Sequence, residues 1–174
     1  AALTGCGGSS SSAAPSSVST AAAESPASSA AASAVVDNAE NGSDALDGIY
    51  NALLEQNPIS NQFEIDAMSI QYDYNLPAEV VVSYKGVKSN DNGDAGLVLV
   101  IEPAEGKAEE IVEALKAYQQ DQVAFYGNYA EFAAAQANVE NAVIANSADR
   151  VVMVIASNAC TEDLTDAVND VLLK

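Results

Sequence analysis

The chain of 174 residues has room for one domain, and its 6 Lys and Arg against 25 Asp and Glu leave a formal net charge of −19. Such a balance repels nucleic-acid phosphates and anionic lipid headgroups, so DNA, RNA and polybasic membrane binding are not expected, and the dispersed acids read as a solvated surface. No histidine occurs, which removes Ser-His-Asp and Cys-His nucleophilic arrangements and every histidine-ligated metal site.

At the head of the chain, Leu3-Thr4-Gly5-Cys6 is followed at once by Gly7, Gly8 and Ser9 to Ser12. Small residues before a cysteine let a signal peptidase fit the chain, and the four residues resemble the lipobox of bacterial lipoproteins. That resemblance implies lipid attachment at Cys6, with residues 1–5 as the remnant of a signal peptide. Residues 6–43 are nearly all Ser, Ala, Pro, Gly, Thr and Val after the cysteine. They carry too little apolar side chain to offset ordering entropy, so a disordered tether is expected. As a flexible coil it would reach about 35 Å. With Cys6 lipidated, Cys160 would have no partner within the chain.

Residues 44–174 read as one folded domain. Aromatics make up only 6% of the chain, with no Trp, so the core is expected to be aliphatic. Leu46, Ile49, Tyr50, Leu53 and Leu54 recur at helical spacing after Ser43 and Asp44, which can cap, and Asn57-Pro58 stops the helix. A short helix over Asp66 to Tyr72 is expected, closed by Leu76-Pro77. Val80 to Tyr84 and Leu97 to Ile101 read as strands joined by the polar turn Ser89 to Asp94. The period turns helical again at Lys107. Ala108, Ile111, Val112, Leu115, Tyr118 or Gln119, Gln122, Val123 and Tyr126 share a stripe, and Gly127-Asn128 is expected to end it in left-handed conformation. Tyr129 to Asn138 suggests another short helix. A second hairpin follows over Ala142 to Asn146 and Val151 to Ala156, and then a helix capped by Thr161, with Leu164, Ala167, Val168, Val171 and Leu172 inward.

The order is α-ββ-α-ββ-α. It predicts an α+β fold whose mostly antiparallel, four-stranded sheet, built from two β-hairpins, carries helices on one face. The first helix ending in Leu53-Leu54, the strand-turn-strand, the long Glu/Ala/Leu helix and the phrase Asn141-Ala142-Val143-Ile144 together resemble the lipoprotein family called domain of unknown function 4358. The resemblance covers residues 44 to 174. It implies an exported lipoprotein of Gram-positive, mostly clostridial, bacteria, and brings no activity, ligand or catalytic residue.

Few residues offer chemistry. Adjacent carboxylates such as Glu109-Glu110 and Glu162-Asp163 point about 100° apart on a helix and make poor acid-base partners. A calcium loop counted from Asn90 fails, because Ala95 stands at the glycine position and Ile101 at the bidentate glutamate, so a polar turn is the reading. Cys160 precedes the expected cap Thr161, where a helix dipole would activate a thiol; a small packed cysteine is the alternative. Phe125, Tyr126, Tyr129 and Phe132 form the candidate interaction surface, with core packing as the other reading. The expected function is a non-enzymatic binding or interaction module, lipid-anchored on the outer face of the cell membrane, for an unknown protein or cell-wall partner. No catalytic residue, cofactor or metal is expected. A structural envelope lipoprotein and a carboxylate-based hydrolase are the competing readings.

Overall fold

The computed structural model describes residues 40–41 and 44–174. Cys6, the signal-peptide remnant and nearly all of the expected tether lie outside the described residues.

Helix α1 spans Asp44–Gln56 and buries Leu46, Tyr50 and Leu53 along one face. Pro58 supplies no N–H and cannot follow a helical turn, so α1 ends where its Asn57-Pro58 step requires. The expected short helix is present over residues 67–73, and widens to a π-helical turn at Ser69–Asp73. The Asp66 carboxylate starts this turn by accepting the Ser69 N–H at 2.8 Å. That backbone bond holds the Asp66 carboxyl below the usual carboxylate range.

Val81–Ser89 (β3) and Leu97–Pro103 (β4) form the first hairpin, and Val143–Asn146 (β5) and Val151–Ile155 (β6) the second. Between them run helix α2, Ala108–Gly127, and the shorter α3, Ala133–Glu140; α4, Leu164–Leu172, follows β6. Two further strands precede β3, the two-residue β1 (Glu40–Asn41) and β2 (Gln62–Glu64).

All six strands join one sheet in the order β1-β3-β4-β6-β5, with β2 also on β3. The hairpins lie side by side through an antiparallel β4–β6 pairing from Leu97 opposite Ile155 to Ile101 opposite Val151. β1 runs parallel to β3, whereas β2 is antiparallel to it. The fold is therefore α+β with a mostly antiparallel sheet, as expected, but the expectation of four strands fails. β2 is exposed at all three positions, and its extended state comes from the Phe63–Lys88 and Glu64–Val87 pairings rather than from its own side chains. β1 falls within the residues assigned to the tether; among the described residues it pairs with β3 alone.

The expectation of helices on one face also fails. Every residue of Leu97 to Ile101 and of Val151 to Ile155 is buried, so both faces of the central strands are covered. Val98, Val100, Val152 and Val154 pack with Leu46 and Leu53 of α1 and Leu164 and Val168 of α4. On the opposite face, Leu99, Ile101 and Met153 meet Ile111 and Leu115 of α2, Val139 of α3, and Tyr74 and Leu76 behind the wide turn. Continuous apolar strands with no polar alternate positions require this arrangement, since each buried Leu, Ile or Val contributes about 1.5–3 kcal/mol only when covered. Lys85 of β3 pairs with Asp47 and lies over the Tyr50 ring, tying that strand to α1.

Two helix ends differ from the sequence reading. Asn128 is right-handed, with φ −78°, and its side-chain amide donates to the Ala124 carbonyl, satisfying an end carbonyl without a left-handed residue. The cap of α4 is Asp163 rather than Thr161; its carboxylate accepts the Thr165 N–H at 2.9 Å. Among the described residues no helix is long and apolar enough to cross a membrane.

Candidate functional site

The last turns of α2 place Phe125 and Tyr126 next to each other, and the tight chain reversal at Asn128 swings Tyr129 and Phe132 back beside them. The four rings close a circuit. Centroids are 5.1 Å apart for Phe125–Tyr126, 5.9 Å for Phe125–Tyr129, 5.4 Å for Tyr129–Phe132 and 5.9 Å for Tyr126–Phe132. Edge-on and tilted contacts of this kind are favourable for ring quadrupoles. Phe125 and Tyr129 remain 51% and 46% exposed, whereas Tyr126 and Phe132 are half-buried. The two readings of this cluster thus divide within it. One pair packs inward, and the other offers apolar surface to solvent.

Phe132 packs on the β3–β4 turn. Gly93 there has φ +78°, and a Cβ at that position would stand 2.8 Å from the Phe132 ring, so both the backbone and the ring call for glycine. The turn is held from several sides. Asp94 is buried, and its carboxylate accepts the Gly96 N–H at 2.9 Å and the Asn158 N–H at 3.2 Å. The Asn158 amide donates to the Gly93 carbonyl at 2.9 Å and accepts from Asn138 of α3 at 3.2 Å. At the same end of the sheet, the fully buried Asn57 donates to the Ile155 carbonyl at 2.8 Å and accepts the Ser157 N–H at 2.9 Å. The Ser157 hydroxyl in turn donates to the Pro58 carbonyl at 2.7 Å. One polar network therefore ties the end of α1, the β3–β4 turn and the chain leaving β6.

Between this pinned turn and α2 lies a cleft of about 380 Å³. Tyr118, Gln122 and Tyr126, spaced one helical turn apart, form one wall, with Asp121 beside them; Asp73, Lys88 and Ser89 face them. Lys88 and Asp73 are 3.5 Å apart, and the Tyr126 hydroxyl reaches the Asp94 carbonyl at 3.5 Å. Behind the wall, the Tyr74 ring packs against Tyr118 with centroids 4.5 Å apart and the planes tilted by 45°. Burial pushes the Tyr118 phenol up to about 12 and the Tyr74 phenol well above its ordinary value, so both stay protonated at neutral pH. The buried Tyr74 hydroxyl makes no hydrogen bond of normal geometry among the described residues, although the Tyr118 hydroxyl stands close enough to raise its pKa.

The sequence identified the four rings but not Asn57, Asp94, Asn158 or the cleft. Asn57 read as a helix stop and Asp94 as a turn residue, and nothing local marks either as buried. One signal was present. Gln122 is a polar residue in an otherwise apolar stripe, which is where the helix leaves the core and lines the cleft instead.

Cys160 lies in a turn that follows β6, not at the start of α4. It is half-buried, and its thiol donates to the Gln56 carbonyl at 3.4 Å. Glu109 and Glu110 are exposed on α2, with Glu110 paired to Lys107. Among the described residues no group of three or more Cys, Asp or Glu side chains is arranged to hold a metal ion.

A family model described as "Domain of unknown function (DUF4358)" matches residues 55–156, the stretch that contains the cleft walls and all four rings. No curated protein and no solved structure matches the chain.

Proposed function

We propose a role that starts from one premise: the chain belongs to the family described as domain of unknown function, DUF4358. The role proposed is that of a membrane-tethered, extracytoplasmic lipoprotein whose domain binds a protein or cell-wall partner without catalysing a reaction. The observation that carries the binding reading is the ring cluster. In a chain with 6% aromatics, four of them converge at one helix end, and Phe125 and Tyr129 stay half exposed rather than entering either core. Aromatic groups with one face packed and one wet are characteristic anchors of binding surfaces. This favours binding over a purely structural envelope role.

Attachment rests on Leu3-Thr4-Gly5-Cys6 and the Gly/Ser run after it, which match a lipobox. The motif implies a diacylglyceryl thioether, and with about 0.8 kcal/mol for each buried methylene two long chains hold a protein at a bilayer. The non-enzymatic reading rests on side-chain chemistry, since histidine is absent and the neighbouring carboxylates diverge.

Two measurements test the proposal. Expressed behind a complete signal peptide in a Gram-positive host, the chain is expected to partition with membranes and detergent, and Cys6→Ala to stay an unprocessed precursor or be shed. A Cys6→Ala chain that is processed and still lipid-modified overturns the anchor. A photo-crosslinker at position 125 on intact cells is expected to capture a discrete partner that a crosslinker at exposed position 148 does not; equal labelling from both overturns the binding surface.

A further inference from the structure

The cleft beside the rings has a chemistry of its own, and we infer that it is a subsite for a neutral saccharide, one or two sugar units deep, entered across Tyr126. This deepens the binding reading above and rests on it.

The lining of the cleft excludes several classes of ligand. Its lining carries the carboxylates of Asp73, Asp94 and Asp121 against the single cation Lys88, which faces Asp73 at 3.5 Å. With −19 on the whole chain, an anionic ligand would meet repulsion both on approach and in place. An apolar ligand fits no better, because most of the walls are carboxylate, amide, ammonium and hydroxyl. An extended peptide would need a free strand edge or apolar side-chain pockets. The β3 and β4 backbones at the mouth are already joined, Lys88 opposite Leu97 and the Ser89 N–H on the Gly96 carbonyl.

A sugar ring satisfies what remains. Its hydroxyls each donate and accept, and its C–H face is apolar. Asp121 accepts only, Gln122 accepts and donates, and Lys88 donates only, so adjacent hydroxyls find complementary partners on facing walls. Tyr126 is the one residue shared by the cleft wall and the ring circuit. A unit in the cleft would therefore continue onto the exposed faces of Phe125 and Tyr129, which can stack on the next one. At about 380 Å³ the cleft sits near the lower end of the roughly 300–1,000 Å³ range of small-molecule sites. Its far side is rigid, since Asp94 and Asn158 pin the turn that forms it.

The test is an amide-resolved NMR titration of the full chain with three neutral probes, cellotriose, maltotriose and triacetylchitotriose. An anionic trisaccharide, trigalacturonate, and a neutral tripeptide, trialanine, run in parallel. At least one neutral trisaccharide is expected to give saturable shifts at residues 118, 122 and 126, with trigalacturonate at least tenfold weaker. Asp121→Ala and Gln122→Ala change exposed or half-buried wall positions and leave the core intact. Each is expected to weaken binding about tenfold or more, the effect of losing one hydrogen bond to sugar. No cleft shift with any neutral trisaccharide, equal binding of trigalacturonate, or indifference to both substitutions overturns the saccharide subsite. If position 125 still captures its partner on cells, only this inference falls. Shifts with trialanine alone place a peptide at the surface and likewise reject the saccharide.

Discussion

The two hairpins end in turns that the chain treats very differently. The β3–β4 turn is joined to three other parts of the molecule: Asp94 to Asn158, Gly93 to Phe132, and both Asp91 and Asn90 to Asn61. The β5–β6 turn, at the opposite end of the sheet, closes locally. Its Ser147 N–H meets the Arg150 carbonyl at 2.8 Å, and the Ser147 hydroxyl meets Asp149 at 3.1 Å. Arg150 reaches Glu102 only at 4.0 Å. A turn whose sole task is to reverse the chain needs no more than the local bonds. Burying polar side chains to hold a turn in place costs desolvation, and that expense makes sense where the turn must present a rigid wall. The pinned end is the one where the cleft and the rings lie.

The largest effect that would sharpen this contrast is expected at Asn57. Replacing it with Ala leaves the Ile155 carbonyl and the Ser157 N–H buried without their partner, and should lower unfolding stability by about 3 kcal/mol in a urea titration. A loss below about 1 kcal/mol would mean that the polar network is incidental.

Gly96→Ala comes next. The added Cβ would stand 2.8 Å from the Ser157 Cβ and 3.0 Å from its Cα, so backbone must move, at about 2 kcal/mol. The amide shifts should spread to Asn158 and Asp94; confinement to residue 96 would argue against a shared network.

The third effect is alkaline. The Tyr118 phenol titrates at about 12 in the fold against an ordinary value of 10.0, so the folded state holds the proton longer. Its contribution is complete below pH 10 and is lost as pH rises from 10 toward 12, roughly 1 kcal/mol by pH 11. Thermal unfolding across that window should show a fall that Tyr118→Phe removes in part. An identical slope in the variant would place the titrating group elsewhere.

The smallest effect belongs to the other turn. Ser147→Ala loses one exposed hydroxyl contact and should change stability by less than about 0.5 kcal/mol. If it costs as much as Gly96→Ala, the two turns do not differ as argued.

Much of the fold was legible because it is periodic. The stripe from Leu46 to Leu54 and the stripe of α2 repeat at helical spacing, and the runs Leu97 to Ile101 and Val151 to Ile155 are short, unbroken and rich in β-branched residues, which marks buried strands. The same runs also held the clue to a two-faced core, since five consecutive apolar residues leave no solvent side. β1 and β2 were not legible. The two residues of β1 and the three of β2, Gln62-Phe63-Glu64, become strands only because β3 offers them an edge, and that edge exists only after the hairpin forms.

The site divides in the same way. The sequence by itself placed four aromatic residues together, because helical spacing and the short link after Gly127 keep Phe125 and Phe132 within one reversal of the chain. Only the tertiary structure decided that two of those rings face solvent, that Asp94 and Asn57 are buried, and that Asp73 and Asp121 line one cleft. These depend on contacts between residues dozens of positions apart, such as Asn57 with Ser157, whose partners are chosen by how layers pack rather than by any local pattern.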